Sequence, residues 1–209
     1  MLSAVIASRV SVAIALSKPG DCFVEVKTSS QCHNASMLPD YLAPNLDIIF
    51  VGLNPGIYSD QVGHYFARKQ NMFWTALYES GIVPQRLEPR DDMRIIEFGL
   101  GLTDLVKRAT NSVGEITRME FQKGGKKLRA KIALLEPRVI CFVGLTGYRA
   151  AFDAHARLGA QASQWGASRL FIVPSTSARN ARYRKEIVEW FRKLKVFLDD
   201  LKGGQNVGH

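Results

Sequence analysis

Cysteine and histidine are scarce in this 209-residue chain, and neither is spaced like the ligands of a metal ion. The three cysteines, Cys22, Cys32 and Cys141, form no CxxC pair. Their odd number argues against a disulfide framework and against a four-cysteine metal site. The four histidines form no HxxxH pair. We therefore predict no metal and no other cofactor, and the thiols suit a reducing compartment.

The chain also lacks the motifs of several common enzyme classes. It contains no GxxxxGKS or GxxxxGKT phosphate loop, and no GxGxxG follows a candidate strand. These absences exclude the two commonest nucleotide-binding motifs. No GxSxG segment is present either, which argues against a serine hydrolase of that type.

Residues 1–17 form an apolar stretch that has one arginine and no acidic side chain. The stretch is short for a membrane helix, and no clear small-residue cleavage site follows it. A signal or transit peptide is one interpretation. We favour a peripheral strand or helix, or a start codon placed too early, and we expect no membrane association.

What the chain does have is an ordinary globular composition and an uneven distribution of charge. Hydrophobic residues make up 46% and charged residues 22%, and the length suits a single domain. Residues 1–104 carry 8 basic and 11 acidic side chains, whereas residues 105–209 carry 20 and 8. A basic half favours a polyanionic partner, nucleic acid ahead of membrane. The alternative is a solvated basic face without a partner.

From residue 47 onwards, short apolar runs alternate with helical patterns. The apolar runs predict strands at 47–51, 99–103, 138–143 and 169–173. The helical patterns lie at 72–80, 118–135, 146–158 and 181–201. Such alternation predicts an α/β fold with a mostly parallel sheet. We expect an irregular or peripheral extension over 1–44, a single domain over 45–201 and a flexible tail over 202–209.

Three segments follow predicted strands, at the edge where open α/β sheets bind ligands. They contain an amide, Asn54, a carboxylate, Asp104, and a small-residue loop that ends in Arg179. The long connection after the first strand holds several aromatic residues, and a connection of that length is usually functional. Aromatic rings and hydrogen-bonding groups in a basic frame suit a flipped nucleobase.

Four ordered segments resemble motifs of the mismatch-specific uracil/thymine DNA glycosylases, which belong to the uracil-DNA glycosylase superfamily. The resemblance covers about residues 45–200. It implies a three-layer α/β/α fold around a central, mostly parallel four-stranded sheet. The segments are VGLNPG at 51–56 with GH at 63–64 and NMFW at 71–74, GLTDLVKR at 101–108 with Thr110, EF at 120–121 with GG at 124–125, and VPSTSAR at 173–179.

The resemblance implies a monofunctional DNA N-glycosylase that acts as a monomer on double-stranded DNA. Such an enzyme flips out uracil, thymine from a mismatch or a deaminated purine, and hydrolyses the N-glycosidic bond to leave an abasic site. There are two alternatives: a non-catalytic module that binds a nucleobase or nucleic acid, and a nucleoside hydrolase. The expected location is the cytoplasm of a bacterium, with the nucleoid, or the nucleus or an organelle of a eukaryote.

Two side chains are the candidates for catalysis. By the resemblance, Asn54 positions the water that attacks the sugar. Asp104 departs from the best-known relatives, which have a neutral or basic side chain there. A carboxylate could stabilise the sugar cation or accept a proton from water. Its structural alternative is to cap a backbone turn.

The remaining candidates form a base pocket and a DNA-binding surface. The resemblance aligns Phe66 with the ring on which the flipped base stacks, and Arg179 with the side chain that fills the vacated stack. The alternatives are a core role for Phe66, a loop-stabilising role for His64 and a helix-capping role for Asn71. The expected pocket residues are Gly52, Leu53, His64, Tyr65, Phe66 and Asn71. The expected DNA contacts are Lys107, Arg108, Thr110, Ser175, Thr176, Ser177, Ala178 and Arg179.

Overall fold

Five strands form one sheet in the computed structural model, which describes residues 38–204. The strands lie in the order β2-β1-β3-β5-β4. All neighbours are parallel except β4, which pairs antiparallel with β5. The α/β class and the mostly parallel sheet are thereby confirmed. The strands are β1 (Ile48–Gly52), β2 (Leu100–Asp104), β3 (Val139–Val143), β4 (Gly159–Trp165) and β5 (Ser168–Val173).

The strand β4 corrects the expected four-stranded sheet to five strands. Its sequence, GAQASQW, has neither a continuous apolar run nor a regular apolar alternation. The reason is exposure, because most side chains of this edge strand are exposed, whereas those of β2 at the other edge are buried. A tight turn at Gly166, with a φ of 59°, connects it to β5. The extra strand extends one edge of the sheet and leaves the layers unchanged.

Helices cover both faces of the sheet and complete the three layers. Ile48 and Phe50 of β1 point into one apolar cluster, and Ile49 and Val51 point into the other. The first cluster is covered by α2, α5 and a 3-10 helix, and the second by α3 and α4. The helices are α1 (Ile57–Val62), α2 (Phe73–Glu79), α3 (Arg118–Leu135), α4 (Leu145–Ala151) and α5 (Arg184–Gly203), with 3-10 helices at Pro89–Phe98, Val113–Glu115 and Ala178–Tyr183.

Two helices differ in extent from the sequence prediction. The pattern at 146–158 forms a helix only as far as Ala151, because Phe152 leaves the helical backbone with φ −132° and ψ −57°. A 3-10 turn precedes α5, which begins at Arg184 rather than at residue 181. The long connection after β1 contains α1, which the sequence analysis did not predict.

The described chain begins with a segment that packs on the domain. Tyr41 and Leu102 of β2 exchange two backbone hydrogen bonds of 3.0 and 2.9 Å. Leu38 and Leu42 are buried in the two apolar clusters. Residues 1–37, which include the apolar stretch 1–17, and residues 205–209 of the expected tail lie outside the described part.

Candidate active site

A cavity of about 590 Å³ lies at the carboxyl edge of the sheet, between the loops that follow the parallel strands. Its walls include Leu38, Asn111 and Thr146, which the sequence analysis did not single out. Gly52, His64, Lys107 and Arg108 lie outside its lining. The predicted site residues that line it are Leu53, Asn54, Tyr65, Phe66, Asn71, Asp104, Thr110, Ser175, Thr176, Ser177, Ala178 and Arg179.

The amide of Asn54 is held in one orientation. Its Nδ2 donates to the carbonyl oxygens of Pro55 and Arg108 at 2.9 and 3.0 Å, and to Oγ1 of Thr110 at 2.9 Å. Carbonyl oxygens only accept hydrogen bonds, so they identify the nitrogen and place Oδ1 on the other side. Oδ1 receives no hydrogen bond from any residue between 38 and 204. The cavity wall therefore presents a fixed acceptor that can orient a water molecule.

Asp104 is a buried carboxyl group at the end of β2, only 7% exposed. It lies opposite Gly52 in the ladder, and a Cβ atom at that glycine would overlap its Oδ1. The glycine therefore makes room for the carboxyl group. Its other oxygen, Oδ2, is buried without a hydrogen-bond partner in the described part of the chain. An unsatisfied buried oxygen of this kind favours a functional role over a turn cap.

Burial raises the pKa of Asp104 to about 7, with the Coulombic attraction of Lys107 opposing the rise and the repulsion of Asp40 adding to it. A carboxyl group with such a pKa is substantially ionised at neutral pH and can still take up a proton. The environment of Asp104 thus suits a general base.

A charged cluster lies next to this carboxyl group. Asp40 accepts hydrogen bonds from Oγ1 of Thr103 at 2.6 Å and from Nζ of both Lys107 and Lys131. Lys107 also donates to the hydroxyl of Tyr65 at 3.2 Å. Sequence reasoning missed Asp40 and Lys131, because 91 positions separate this pair in the chain and no local motif connects them.

Burial raises the pKa of Asp40, but the charge and hydrogen bond of Lys107, with further bonds from Lys131 and Thr103, lower it overall below its usual value. Asp40 is therefore an anion across the neutral range. It neutralises part of the charge of the two lysines that flank it.

Phe66 forms an aromatic wall of the cavity. Its ring stacks on Phe73 with the centroids 4.0 Å apart and the planes at 20°. The backbone of Phe66 has a φ of 52°, an uncommon left-handed conformation for a residue other than glycine. A residue held in this way in a loop is typical of a functional site.

Three other residues predicted for the base pocket make hydrogen bonds within the protein. Tyr65 is 2% exposed, and its backbone N–H donates to Oδ2 of Asp92 at 2.9 Å. Nδ1 of His64 lies 3.3 Å from Oδ1 of the same carboxylate. Asn71 lines the cavity, and its Oδ1 accepts from the N–H of Phe73 at 3.0 Å. The N-cap of α2 is Met72, so Asn71 lies one residue before the capping position considered from the sequence.

The loop after β5 closes another side of the cavity. Ser175 and Ser177 join through their hydroxyls at 3.3 Å, and Nδ2 of Asn180 donates to the carbonyl of Ser175 at 3.1 Å. Thr176 is buried, and its carbonyl accepts from the N–H of Met72 at 2.8 Å. These bonds give the small-residue loop a defined shape, and Arg179 follows it at the cavity wall.

The family model described as the uracil DNA glycosylase superfamily matches residues 39–202. The chain belongs to the uracil DNA glycosylase superfamily. Membership supports a DNA glycosylase function, since this superfamily acts on DNA.

The fold is similar to that of a solved structure, the solution NMR structure of a candidate uracil DNA glycosylase from Methanosarcina acetivorans. The two chains superpose with a TM-score of 0.52 at 18% sequence identity, over 77% of this chain and 98% of the other. At this identity the likeness concerns the fold.

In this uracil DNA glycosylase superfamily member, Arg108 already has partners within the protein. Its guanidinium contacts the Glu120 carboxylate at 2.9 Å and donates to the carbonyl of Glu115 at 2.8 Å. The hydrogen bond from Arg108, together with bonds from Thr117, lowers the pKa of Glu120 to about 2. Arg108 thereby ties the loop after β2 to the first turn of α3.

No group of three or more His, Cys, Asp or Glu side chains within residues 38–204 is arranged to hold a metal ion. In the same part of the chain, none of the helices combines the length and the apolar character needed to cross a membrane.

Proposed function

We propose that the protein is a monofunctional glycosylase of the mismatch-specific type, which removes uracil or a mismatched base from double-stranded DNA. One observation carries the proposal. Asn54 and Asp104 line the same cavity, and neither Oδ1 of Asn54 nor the buried Oδ2 of Asp104 has a hydrogen-bond partner among residues 38–204. A water molecule that one group orients and the other deprotonates can hydrolyse a glycosidic bond.

The proposed reaction has one chemical step on the sugar. Oδ1 of Asn54 accepts a hydrogen bond from a water molecule and orients its oxygen towards C1′. The bond from water to C1′ forms, the bond from C1′ to the base nitrogen breaks, and the electron pair leaves with the base. The carboxylate of Asp104 accepts the proton that water loses, and its charge stabilises the positive charge on the sugar.

The wall of the cavity supports the assignment of a flipped base as the substrate. Phe66 offers a ring that is fixed by Phe73, and stacking of a base on an aromatic ring contributes about 1–3 kcal/mol. Nδ2 of Asn71 has no hydrogen-bond partner within the described residues, so it can donate to a carbonyl of the base. Uracil, thymine and deaminated purines all carry such a carbonyl.

The rim of the cavity supports DNA as the partner. The small side chains of residues 175–178 can enter a groove, and Arg179 can fill the space that the flipped base leaves. Hydroxyls such as that of Ser175 commonly bind phosphate oxygens. The Thr110 hydroxyl accepts from Asn54 and donates to the carbonyl of Ser112 at 2.9 Å, so its first role is to hold the catalytic amide.

The test compares three substrates: a labelled duplex with a U:G pair, the same duplex with U:A, and free deoxyuridine. We expect an abasic site in the duplex, no reaction with deoxyuridine, and no borohydride-trapped enzyme–DNA adduct, since no lysine lines the cavity within the described residues. Asn54→Ala is the inactivating variant, and Asn111→Ala, another amide at the cavity wall, is its control.

Other results would identify the alternatives. Hydrolysis of deoxyuridine would indicate a nucleoside hydrolase. Tight binding of the duplex without base release would indicate a non-catalytic module. A trapped covalent adduct would contradict the monofunctional mechanism.

A further inference from the structure

The backbone of Phe66 is held from outside its own loop. The direction of its ring depends on the two backbone dihedrals of this residue, which relate the peptide group on each side to the Cα atom. Both of these peptide groups are hydrogen-bonded to a side chain from another element. The two bonds matter for the candidate site because Phe66 is the aromatic wall of the cavity.

The peptide group before Phe66 is held by Trp74 of α2. Its carbonyl oxygen, which belongs to Tyr65, accepts from the indole N–H of Trp74 at 3.1 Å. Trp74 is buried and packs edge-on against Phe73, with the ring centroids 5.1 Å apart. The indole that fixes this peptide group therefore belongs to the same aromatic cluster as the ring on which Phe66 stacks.

The peptide group after Phe66 is held by Ser59 of α1. Its N–H, which belongs to Ala67, donates to the Ser59 hydroxyl oxygen at 3.1 Å. The backbone carbonyl of Ser59 also accepts from the N–H of His64 at 3.1 Å, so this one residue holds the chain on both sides of Phe66. Ser59 is buried, which limits competition from water for these bonds.

We infer that Ser59 and Trp74 are positioning residues for the stacking ring: together they hold Phe66 in its left-handed conformation and so keep its ring stacked on Phe73 at the cavity wall. The φ of 52° is unfavourable for a phenylalanine by itself, and it persists only where the surroundings enforce it. Loss of either bond frees one peptide group to rotate towards a negative φ. The inference rests on the proposed function in one respect, which is that the ring stacks on a flipped base.

The first measurement follows the ring itself, in the absence of DNA. Nuclear Overhauser contacts between the protons of the Phe66 and Phe73 rings are recorded on protein with labelled phenylalanine, and Phe66→Leu identifies the resonances. Ser59→Ala removes the hydroxyl acceptor, and Trp74→Phe removes the indole donor. Each variant should weaken the contact between the two rings.

Two substitutions of the same kind serve as matched controls. Ser80→Ala removes a buried hydroxyl that donates to the carbonyl of Leu77 at 3.1 Å, at the end of α2. Trp165→Phe removes an indole that packs against the apolar cluster on the other face of the sheet. Both controls should leave the contact between the Phe66 and Phe73 rings as it is in the parent.

The second measurement tests whether the positioned ring binds the base. The probes are a duplex with 2′-fluoro-2′-deoxyuridine opposite guanine, whose glycosidic bond resists hydrolysis, and the same duplex with an abasic-site analogue. Phe66→Ala should weaken binding of the fluorouridine duplex by about 5- to 150-fold, the value of one base stacked on an aromatic ring, and should change binding of the abasic duplex little. Ser59→Ala and Trp74→Phe should each weaken binding of the fluorouridine duplex by about 2- to 12-fold, the value of one hydrogen bond. Neither should cause a further loss when it is combined with Phe66→Ala.

The outcomes separate the inference from the proposed function. An unchanged ring contact in Ser59→Ala or in Trp74→Phe would overturn the assignment of that residue, whatever the DNA binding. An equal loss of affinity for both duplexes would also overturn it, because the effect would then not act through the ring. If the ring contact weakens but the affinity for the fluorouridine duplex stays in place, the positioning is real and the proposed stacking of a flipped base on Phe66 is wrong. If Trp74→Phe does not fold, Ser59→Ala alone decides between these outcomes.

Discussion

Asn54 and Asp104 differ in how the fold controls them. The amide is fixed by three acceptors around its nitrogen, so the catalytic contribution that we propose for it is geometric. The carboxyl group makes no such set of bonds, and its properties come from burial and from the charges around it. The orienting group and the proton acceptor of the proposed mechanism therefore line one cavity, and a different kind of interaction controls each of them.

The first prediction concerns the cooperation of these two residues. Asn54→Ala and Asp104→Asn should each lower the single-turnover rate on uracil-containing DNA, by about 10²–10⁴-fold where general-base assistance is lost. If both groups act on one water molecule, as we propose, the double variant should lose less than the product of the two single losses. Folding and DNA affinity are measured in parallel. A loss below about threefold in Asp104→Asn, well under that range, would reduce Asp104 to a structural role.

The second prediction follows from the pKa of Asp104, which is about 7 in the folded protein. The unfolded chain releases this proton near pH 4, whereas the folded protein keeps it up to about pH 7. Because the folded state binds more protons between these values, the free energy of unfolding falls as the pH rises from about 4 to 7 and then levels off. Asp104→Asn removes this dependence. Its stability relative to the parent should increase by about 3 kcal/mol between pH 5 and pH 8.

Chemical denaturation at the two pH values checks this difference. The amide changes the packing equally at pH 5 and pH 8. Only the pH-dependent part of the difference in unfolding free energy therefore reports the pKa of Asp104. A constant difference between variant and parent would show that Asp104 has an ordinary pKa.

At the scale of elements, the sequence predicted those parts of the fold in which burial dictates the residue pattern. The inner strands β1, β3 and β5 contain continuous apolar runs because both faces of the sheet are covered, whereas β2 at the other edge has the weaker pattern LGLTD. The ends of all four strands were predicted to within a residue or two. The edge strand β4 escaped prediction because solvent contact removes that pattern. The short helix α1 was missed inside a segment interpreted as a loop.

In the candidate site too, some residues could be predicted from the sequence and others could not. Residues next to strand ends, such as Asn54 and Asp104, could be grouped from the sequence because parallel strands bring their carboxyl ends together. The partners Asp40 and Lys131 could not, since their contact depends on how the chain before β1 crosses the end of α3. The glycine pair at 124–125 has a packing role, because a Cβ atom at Gly124 would overlap the carbonyl of Leu105.

The third prediction belongs to the loop after β5. If Arg179 fills the space of the flipped base, Arg179→Ala should slow the reaction on a paired U:G duplex by more than tenfold, roughly the value of one lost charged contact. The rate on single-stranded DNA containing uracil should change little, since no stack has to be opened there. Arg192→Ala on α5, whose side chain pairs with Glu189, is the control. Equal losses on both substrates would place Arg179 in the chemical step instead.

For the whole molecule, the net charge of +9 overstates the charge available to DNA. Several basic side chains are already paired within the protein, among them Lys107 and Lys131 with Asp40, Arg108 with Glu120, and Arg184 with Glu79. At the cavity itself, Arg68 and Arg179 have no acidic partner within the described residues. The electrostatic contact with DNA should therefore involve a few phosphates rather than all the excess charge.

The last prediction concerns the salt dependence of DNA binding, which reports how many phosphates the protein contacts. Each phosphate that a side chain neutralises releases condensed counterions, so the logarithm of the DNA-binding constant should fall linearly with the logarithm of the salt concentration. For two to five contacts the slope is between about −2 and −5. Arg68→Ala and Arg179→Ala should each make it shallower by about one, whereas Arg192→Ala should leave it unchanged. A slope near zero would mean that the basic half of the chain does not bind DNA, and a slope near −9 would mean that the internal ion pairs open when DNA binds.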